Sequence, residues 1–287
     1  MSVQAAFDPI KFKTTTRSQW EAAAAAWHRW GPFLAEWLGP ATERMLDLAG
    51  VTTGSRVLDV AAGAGEQTLR AARRAGPSGH VLTTDISPAI LEYAARDARD
   101  AGLANVATRE LDGESVEQLP PGSFDSVISR VGLIYFPDRQ KALAGMRHVL
   151  KPGGRVGVIV YSTPESNAFF SIPISIIRRR AQLPPPVPGQ PGPFSLGADG
   201  SLAATLRDAG FHSVTVERLD APVRLPSAAD CVAFERDSFG ALHQMMSTMT
   251  ESDRADTWRE IERELQRFQD GSGFVGPCEL WVGAAIR

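Results

Sequence analysis

The sequence predicts a doubly wound α/β domain, in which helices cover both faces of a mostly parallel sheet. Apolar strands alternate with helical segments through the first half of the chain, starting with a strand at 57–60 and a helix at 66–74. Two strands, at 57–60 and 80–85, carry an acid at or near the turn that follows. This alternation is typical of parallel sheets with crossover helices. We therefore expect a ligand at the carboxyl ends of the strands.

The first strand leads into a loop of small residues that predicts a nucleotide-like ligand. Gly63 and Gly65 let backbone N–H groups approach a polar group, and the helix at 66–74 points its N-terminus at the same place. A dinucleotide fingerprint requires a further glycine at the position of Thr68. The carboxylate of Asp59 repels a pyrophosphate but suits a ligand with an ammonium and a sulfonium group. The loop therefore favours S-adenosylmethionine.

Further acidic steps follow at the spacing that a Rossmann-like site requires. Asp85 ends the second strand, twenty residues after Gly65, where a carboxylate can bind a ribose diol. Three more segments continue the pattern. An apolar-to-acidic turn lies at 111–114, a fourth strand at 123–130, and a turn followed by a fifth strand at 149–161. Each element alone is a weak signal, but their order and spacing together are strong.

In these motifs the sequence resembles the class I S-adenosylmethionine-dependent methyltransferases, and specifically the UbiE-like branch that acts on small molecules. The resemblance runs from about 20 to 161 and returns more weakly at 202–219 and 279–287. It implies a Rossmann-like sheet of seven strands, mostly parallel with the last strand antiparallel, and helical lid insertions. It also implies a methyltransferase that uses S-adenosyl-L-methionine and releases S-adenosyl-L-homocysteine.

The resemblance implies roles for particular residues. It places Asp59, Ala61, Gly63 and Gly65 around the methionine part, Asp85 on the ribose, Ile86, Asp112 and Gly113 on the adenine, and Arg130 and Val131 at the methyl end. Ala61 stands where the family has its first glycine, and a methyl group is tolerated there if φ is negative.

Helical segments surround this core. Within 19–49, Trp20 and Trp27 are seven residues apart, as are Trp30 and Trp37, so each pair shares a helical face. Core packing is the commoner role for a single tryptophan. Because the family closes this segment over the cofactor, Trp20 and Trp27 are our candidates for a cation–π contact with the sulfonium.

The expected organisation has six parts. They are an N-terminal helical cap (1–50), a cofactor-binding core (51–161), a lid segment (162–200), a continuation of the core (201–225), a helical lid insertion (226–275) and a final core strand (276–287). The proline-rich run at 183–193 is expected to form a stiff extended loop. The insertion carries several methionines and is expected to cap an apolar or aromatic acceptor pocket.

Methyl transfer is an in-line displacement at an activated carbon, so positioning at roughly 3 Å is the main task of the protein. By the resemblance, oxygen and carbon are favoured over nitrogen as acceptor atoms. A general base helps if the acceptor is a hydroxyl or an acidic ring carbon. The candidates are His28, His243, Tyr135 and Tyr161, whereas His80, His148 and His212 are expected to be structural.

Composition excludes several function classes. A net charge of -3 gives no electrostatic footprint for nucleic acid. No apolar run approaches the ~18 residues that span a bilayer, and the N-terminus has no secretory pattern, so we expect a cytoplasmic protein. Cys231 and Cys278 are too few and too distant for a metal motif, so we expect reduced thiols and no metal. The sequence leaves a homodimer open.

Two other functions remain open at this level. A nicotinamide oxidoreductase is disfavoured by Thr68 and Asp59, and binding of NADH against S-adenosylhomocysteine separates the two. A methyltransferase-like fold can also keep its cofactor without transferring methyl, as a pericyclase or a binding protein. Detection of a methylated product would remove that second alternative.

Overall fold

The computed structural model describes residues 7–185 and 189–287. Its helices are α1 (Pro9–Arg29), α2 (Gly31–Trp37), α3 (Gly39–Leu48), α4 (Glu66–Ala75), α5 (Pro88–Asp100), α6 (Arg139–Val149), α7 (Ala168–Arg180), α8 (Ser201–Asp208), α9 (Ala228–Ser238), α10 (Gly240–Met245) and α11 (Glu251–Leu265). Its strands are β1 (Arg56–Val60), β2 (His80–Asp85), β3 (Val106–Glu110), β4 (Phe124–Arg130), β5 (Leu150–Tyr161), β6 (His212–Asp220), β7 (Val223–Leu225), β8 (Gln269–Asp270), β9 (Gly273–Gly276) and β10 (Glu279–Ile286).

The main sheet has seven strands in the order β3-β2-β1-β4-β5-β10-β6. β1 pairs in parallel with both β2 and β4, and β10 runs antiparallel to both of its neighbours, β5 and β6. The prediction of a mostly parallel Rossmann-like sheet with an antiparallel last strand is therefore confirmed. The fully buried Val57, Leu58 and Val60 of β1 reflect its place at the centre of a sheet that is covered on both faces.

The strand order reverses between β1 and β4. From β1 the chain proceeds outward to β2 and β3 and then returns to the other side of β1 to form β4. The connections that leave β1 and β4 therefore diverge, and a crevice opens at their carboxyl ends. This reversal puts the loop at 61–65 and the residues after β4 on opposite sides of one opening.

The N-terminal helix begins earlier than the sequence analysis expected. It starts at Pro9 rather than near residue 19, because the Asp8 side chain caps it by accepting hydrogen bonds from the backbone N–H groups of Ile10 and Lys11, both at 3.0 Å. Proline fits the first helical turn, where its missing N–H has no intrahelical partner. Two further turns of α1 are thus available to cover the site.

The end of the predicted lid insertion belongs to a small sheet that the sequence did not predict. Strands β7, β9 and β8 form this antiparallel sheet in that order, and β7 comes from the preceding core continuation. The segment 226–275 is therefore helical only up to its final hairpin, whose turn is built around Gly271–Gly273. Of the proline-rich run, 186–188 lie outside the described residues, and its described part forms neither helix nor strand.

Helix α3 packs on the sheet at a glycine of β5. A Cβ atom at Gly157 would lie 2.9 Å from the Cβ of Ala49 and 3.1 Å from the backbone oxygen of Met45. The close approach fixes α3, and with it the N-terminal helices that cover the crevice. The φ of Gly157 is not in the left-handed region, so the backbone conformation does not require glycine there. Glycine is required because a side chain has no space.

We predict that Gly157→Ala lowers the free energy of unfolding by about 1–3 kcal/mol, because the added methyl forces α3 away from β5. Chemical denaturation measures the change. Gly192→Ala is the matched control, because a Cβ there meets nothing within 4 Å, and its stability should stay within about 0.5 kcal/mol of wild type. Equal stabilities of the two variants would contradict the packing assignment.

Candidate functional site

A cavity lies at the carboxyl ends of β1, β2 and β4, beneath α1. It has about 990 Å³ of space not filled by atoms, including the part that is open to solvent. Its lining residues are Lys13, Thr16, Trp20, Trp27, Leu38, Ala61, Gly63, Gln67, Asp85, Ile86, Ile90, Leu111, Asp112, Gly113, Arg130, Val131, Gly132, Tyr135, Phe136, Pro137, Tyr161 and Phe239. Most of the cofactor-binding residues that the sequence predicts are brought together here.

Asp85 ties the glycine loop to the end of β2. One of its oxygens, Oδ2, accepts the N–H of Gly63 and the other, Oδ1, accepts the N–H of Ser87, each at 3.0 Å. Burial raises the pKa of this carboxyl above its ordinary value. A carboxylate can accept up to about four hydrogen bonds, so the Asp85 oxygens retain acceptor capacity beyond their backbone contacts. Asp85 can thus accept a pair of hydroxyl groups while it holds the loop.

On the side of the cavity next to the loop after β3, Lys13 of α1 forms ion pairs with two acids of that loop. The Lys13 ammonium lies 2.7 Å from Oδ2 of Asp112 and 2.5 Å from Oε2 of Glu114. The adjacent Gly113 has no room for a side chain, since a Cβ there would collide with the ring of Phe136. Helix α1 is therefore fastened to the loop after β3, directly over the part of the cavity beside Ile86.

Asp59 lies behind the cavity and not on its surface. Its side chain is 0% exposed, and it accepts hydrogen bonds from Oγ1 of Thr68 at 2.6 Å and from Nε2 of Gln67 at 3.3 Å. Burial raises the pKa of Asp59 to about 7. The sequence analysis placed this acid against the methionine part, but Gln67 stands between it and the opening. Asp59 can therefore affect a ligand in the cavity electrostatically, without contacting it.

Two residues have an uncommon backbone conformation where the strand order reverses between β1 and β4. Ala61, after β1, has φ +56°, and Val131, after β4, has φ +59°. The negative φ that would make a methyl group at Ala61 free of strain is not observed. The left-handed region costs an L-residue roughly 1–2 kcal/mol and is rarer still for a β-branched one. Both residues line the cavity, and backbone strain of this kind clusters at binding sites.

Gly65 serves packing. Its φ is +90°, and a Cβ on it would lie 2.7 Å from the Cβ of Ala94 on α5. Gly65 is not among the described residues that line the cavity. The glycine that the sequence analysis assigned to the ligand thus lets α5 approach the loop.

Arg130 joins three elements at the side of the cavity. Its guanidinium donates to Oγ1 of Thr42 on α3 at 3.0 Å and forms an ion pair with Glu66 at the start of α4. Only 9% of the residue is exposed. The charge of Arg130 is therefore already paired within the scaffold, and the residue fixes the end of β4 against both helices.

Aromatic side chains form the other half of the cavity. The ring centroids of Trp20 lie 5.4 Å from Trp27 and 5.9 Å from Tyr135, and those of Trp27 and Phe239 are 6.1 Å apart. Trp27 also donates its indole N–H to the backbone oxygen of Ser238 at 2.9 Å, which links α1 to α9. The predicted shared face of the first tryptophan pair is confirmed.

Two tyrosines end this aromatic surface, and both line the cavity. Burial raises the pKa of Tyr135 and of Tyr161. Neither hydroxyl has a hydrogen-bond partner among residues 7–185 and 189–287. Both hydroxyls stay protonated at neutral pH, so they can donate a hydrogen bond but are poor bases.

The two candidate histidines lie elsewhere. His28 points its Nδ1 at Asp97 at 3.0 Å and stacks on the ring of Tyr93 at 4.7 Å. His243 places Nε2 2.7 Å from the backbone oxygen of Arg236. Neither histidine is among the described residues that line the cavity, so the structure does not support either as a general base.

Several lining residues escaped the sequence analysis. Lys13 and Thr16 lie on the helical face that continues through Trp20 to Trp27, and the signal for them was the Asp-Pro start of α1. Phe239 comes from the lid by a long-range contact, which a single sequence does not encode locally. Gln67 had no distinguishing signal, since a glutamine in a first helical turn is ordinary.

Two further features bear on function. Within 7–185 and 189–287, no helix has the length and apolar character needed to cross a bilayer. Among the same residues there is no cluster of three or more potential metal-ligating side chains, and the buried Cys231 and Cys278 are not joined to each other.

Comparison with known proteins identifies the class. Residues 41–174 match the ubiE/COQ5 methyltransferase family. Nocamycin O-methyltransferase of Saccharothrix syringae is 32% identical over 69% of this chain and 74% of its own length. The ubiquinone/menaquinone biosynthesis C-methyltransferase UbiE of Pseudomonas aeruginosa (strain LESB58) is 37% identical over 42% of this chain, and the chain spans about half (48%) of that relative.

Solved structures show the same fold. The YcgJ protein of Bacillus subtilis superimposes with a TM-score of 0.58 at 19% identity, covering 87% of this chain and 98% of its own. The [4+2]-cyclase SpnF gives a TM-score of 0.51 at 19% identity over 85% and 78% of the two chains. At this identity the likeness extends to the fold alone.

The fold and the relatives together define a methyltransferase of the S-adenosylmethionine-dependent class. The chain belongs to the ubiE/COQ5 methyltransferase family.

The buried acid gives a prediction on pH. Because the pKa of Asp59 is raised from 3.8 to about 7 on folding, its contribution to stability is fully present below about pH 4 and is lost as pH rises through 7. An asparagine in place of the acid would accept from Gln67 through its side-chain oxygen and donate to Oγ1 of Thr68 through its nitrogen, without carrying a charge. We predict that Asp59→Asn is about as stable as wild type near pH 4 and roughly 2–4 kcal/mol more stable at pH 8.

Urea denaturation of both proteins across this range measures the difference. Asp85, whose pKa is raised in the same direction, is present in both proteins, and its charge contributes to the raised pKa of Asp59. A difference in stability that stays constant from pH 4 to 8 would show that Asp59 titrates normally.

Proposed function

We propose that this protein transfers the methyl group of S-adenosylmethionine to an oxygen or carbon atom of a small apolar or aromatic metabolite. The observation that carries the proposal is the division of one cavity into two halves. Around Asp85, Gly63 and Asp112 it offers carboxylates and backbone groups, and around Trp27 and Tyr161 it offers aromatic rings. The first half suits a nucleoside with an amino acid, and the second suits an apolar acceptor.

The described residues fit the cofactor. We assign the ribose hydroxyls to the free acceptor positions of Asp85, and the adenine to Ile86, Asp112 and Gly113. The methionine part lies between the loop after β1 and the end of β4, near Ala61, Gly63, Arg130 and Val131, with Asp59 and Gly65 supporting that loop from behind. Trp20 and Trp27 face the same space, where their rings can attract a sulfonium by the cation–π effect.

When bound, the cofactor supplies a methyl carbon activated by positive sulfur. The protein's task is then to hold an acceptor atom in line with the sulfur–carbon bond and to exclude water. An electron pair of the acceptor forms the new bond, the electrons of the broken bond return to sulfur, and a displaced proton leaves to solvent. No histidine among the described residues reaches the cavity, so we assign no protein base.

The tyrosine pair limits the acceptor. Tyr135 and Tyr161 are hydrogen-bond donors at neutral pH, so we propose that they bind an oxygen of the acceptor. A phenol, a quinol or an enolised diketone carries such an oxygen beside or at its nucleophilic atom. Acceptors of this kind tolerate the absence of a base, because their own acidity provides electron density. The relatives, an O-methyltransferase and a C-methyltransferase, support the same pair of acceptor atoms.

The test is an acceptor screen with methyl-labelled S-adenosylmethionine. The purified chain is incubated with phenols, quinols, enolisable diketones and aliphatic amines, and products are followed by mass spectrometry. We expect labelled product from the first three classes together with one equivalent of S-adenosylhomocysteine. Binding of the cofactor with no methylated product across the screen would favour the alternative of a cofactor-binding protein or pericyclase.

We predict that Asp85→Ala weakens binding of S-adenosylhomocysteine by roughly 1–3 kcal/mol, through the loss of charge-assisted hydrogen bonds. The fold is retained but loses about 1–3 kcal/mol of stability, since the N–H groups of Gly63 and Ser87 lose their acceptor. Calorimetric titration and denaturation measure the two effects. Wild-type affinity in a folded variant would refute the ribose assignment.

We also predict that Tyr161→Phe and Tyr135→Phe each lower kcat/KM for the acceptor about 5- to 50-fold while the affinity for S-adenosylhomocysteine changes less than about twofold. Tyr93, the remaining tyrosine of the chain, stacks on His28 outside the cavity. Tyr93→Phe is therefore the matched control, with unchanged kinetics. A loss of activity in the control equal to that in the other two would remove the donor role.

A further inference from the structure

We propose that Gln67 binds the α-amino group of the cofactor's methionine part through its side-chain oxygen Oε1. The inference rests on the proposed function, because it takes the cavity to be the site of S-adenosylmethionine. Gln67 is 2% exposed and lines the cavity at the start of α4. Its amide nitrogen is hydrogen-bonded, whereas its amide oxygen has no partner among the described residues.

The orientation of the Gln67 amide is fixed by its neighbours. Its nitrogen Nε2 lies 3.0 Å from the backbone oxygen of Ala62 and 3.3 Å from Oδ1 of Asp59. Both partners are acceptors, so a rotated amide would set its oxygen against two oxygens. Thr68 donates to the other carboxylate oxygen of Asp59 at 2.6 Å and holds the carboxyl in place. The amide nitrogen therefore faces the scaffold, and Oε1 is the atom left for a ligand.

Oε1 of Gln67 is buried and has no hydrogen-bond partner in the part of the chain that the structure describes. A buried acceptor without a donor costs about 1–3 kcal/mol, and a charged donor restores more than a neutral one. The Asp59 carboxyl stands directly behind the amide, and in its ionised form, which predominates above its pKa of about 7, it adds negative potential at the same place. An ammonium group satisfies both conditions, because it donates hydrogen bonds and carries positive charge.

The place of Gln67 in the sheet selects among the cofactor's nitrogen groups. Gln67 is anchored to the loop after β1, next to the switch point with β4. Asp112 and Gly113, which we assign to the adenine, follow β3 at the far edge of this half of the sheet, two strands away. The adenine amine and the methionine amine thus lie at opposite ends of the cavity, and Gln67 is at the methionine end.

The test compares two ligands that differ only in the amino group. Wild type and Gln67→Met, which keeps the side-chain length but removes the amide, are titrated with S-adenosylhomocysteine and with its desamino analogue. We expect wild type to bind S-adenosylhomocysteine about 10- to 100-fold more tightly than the analogue, and this ratio to fall at least about fivefold in Gln67→Met. Gln67→Asn, which shortens the reach by one methylene, should lower the ratio in the same direction and replaces Gln67→Met if that variant does not fold.

Gln140→Met is the matched control. The Gln140 side chain is exposed on α6 and donates to the backbone oxygen of Thr205, outside the cavity, so this variant should bind both ligands as wild type does and keep their ratio. A wild type that does not distinguish the two ligands overturns the inference, as does an unchanged ratio in the folded Gln67 variants. Failure of wild type to bind S-adenosylhomocysteine at all would instead overturn the proposed function.

Discussion

A carboxylate buried under the glycine loop is the interaction on which the site depends. Asp59 accepts hydrogen bonds from Gln67 and Thr68, both in the first turn of α4. Gln67 also donates to the backbone oxygen of Ala62 and so fixes the loop after β1. Asp85, at the end of the neighbouring strand β2, accepts a hydrogen bond from the N–H of Gly63 and fixes another part of that loop. Two acids from neighbouring strands thus set the shape of one short connection.

This arrangement is costly for the folded state. Burial raises the pKa of Asp59 and of Asp85, so ionised carboxylates here lower stability at neutral pH. The left-handed Ala61 and Val131 add backbone strain on either side of the same opening. A cation bound in the cavity would offset the first of these costs, because it lies near both carboxylates. The balance between stability and ligand binding is typical of functional sites.

Local sequence predicts the cofactor half of the site well. Strand β1, its glycine loop and the acid that ends β2 are close in sequence, and each has a pattern with a physical reason, so their positions could be inferred before any coordinates. The resemblance to the family implies the seven strands with an antiparallel last strand, whereas the strand order comes from the structure. The start of α1 differs from the predicted region because Asp8 and Pro9, a helix cap and a first-turn proline, begin the helix ten residues earlier.

The acceptor half could be predicted only in part, because contacts between distant segments build it. Phe239 meets Trp27 only through the packing of α9 on α1, and the β7–β9 pairing closes the lid with strands too short to carry a pattern. The sequence makes His28 a candidate base in the helix that carries the tryptophans, yet its ring contacts Asp97 and Tyr93 outside the cavity. Which layer a polar residue occupies, as with Asp59 and Gln67, depends on three-dimensional packing.

The central claim is that this cavity binds S-adenosylmethionine, and calorimetric titration of the purified chain with S-adenosylhomocysteine, with NADH in parallel, tests it most directly. The account predicts micromolar binding of S-adenosylhomocysteine and none of NADH. Binding of NADH alone would contradict it, since the glycine loop and its two acids would then serve a dinucleotide.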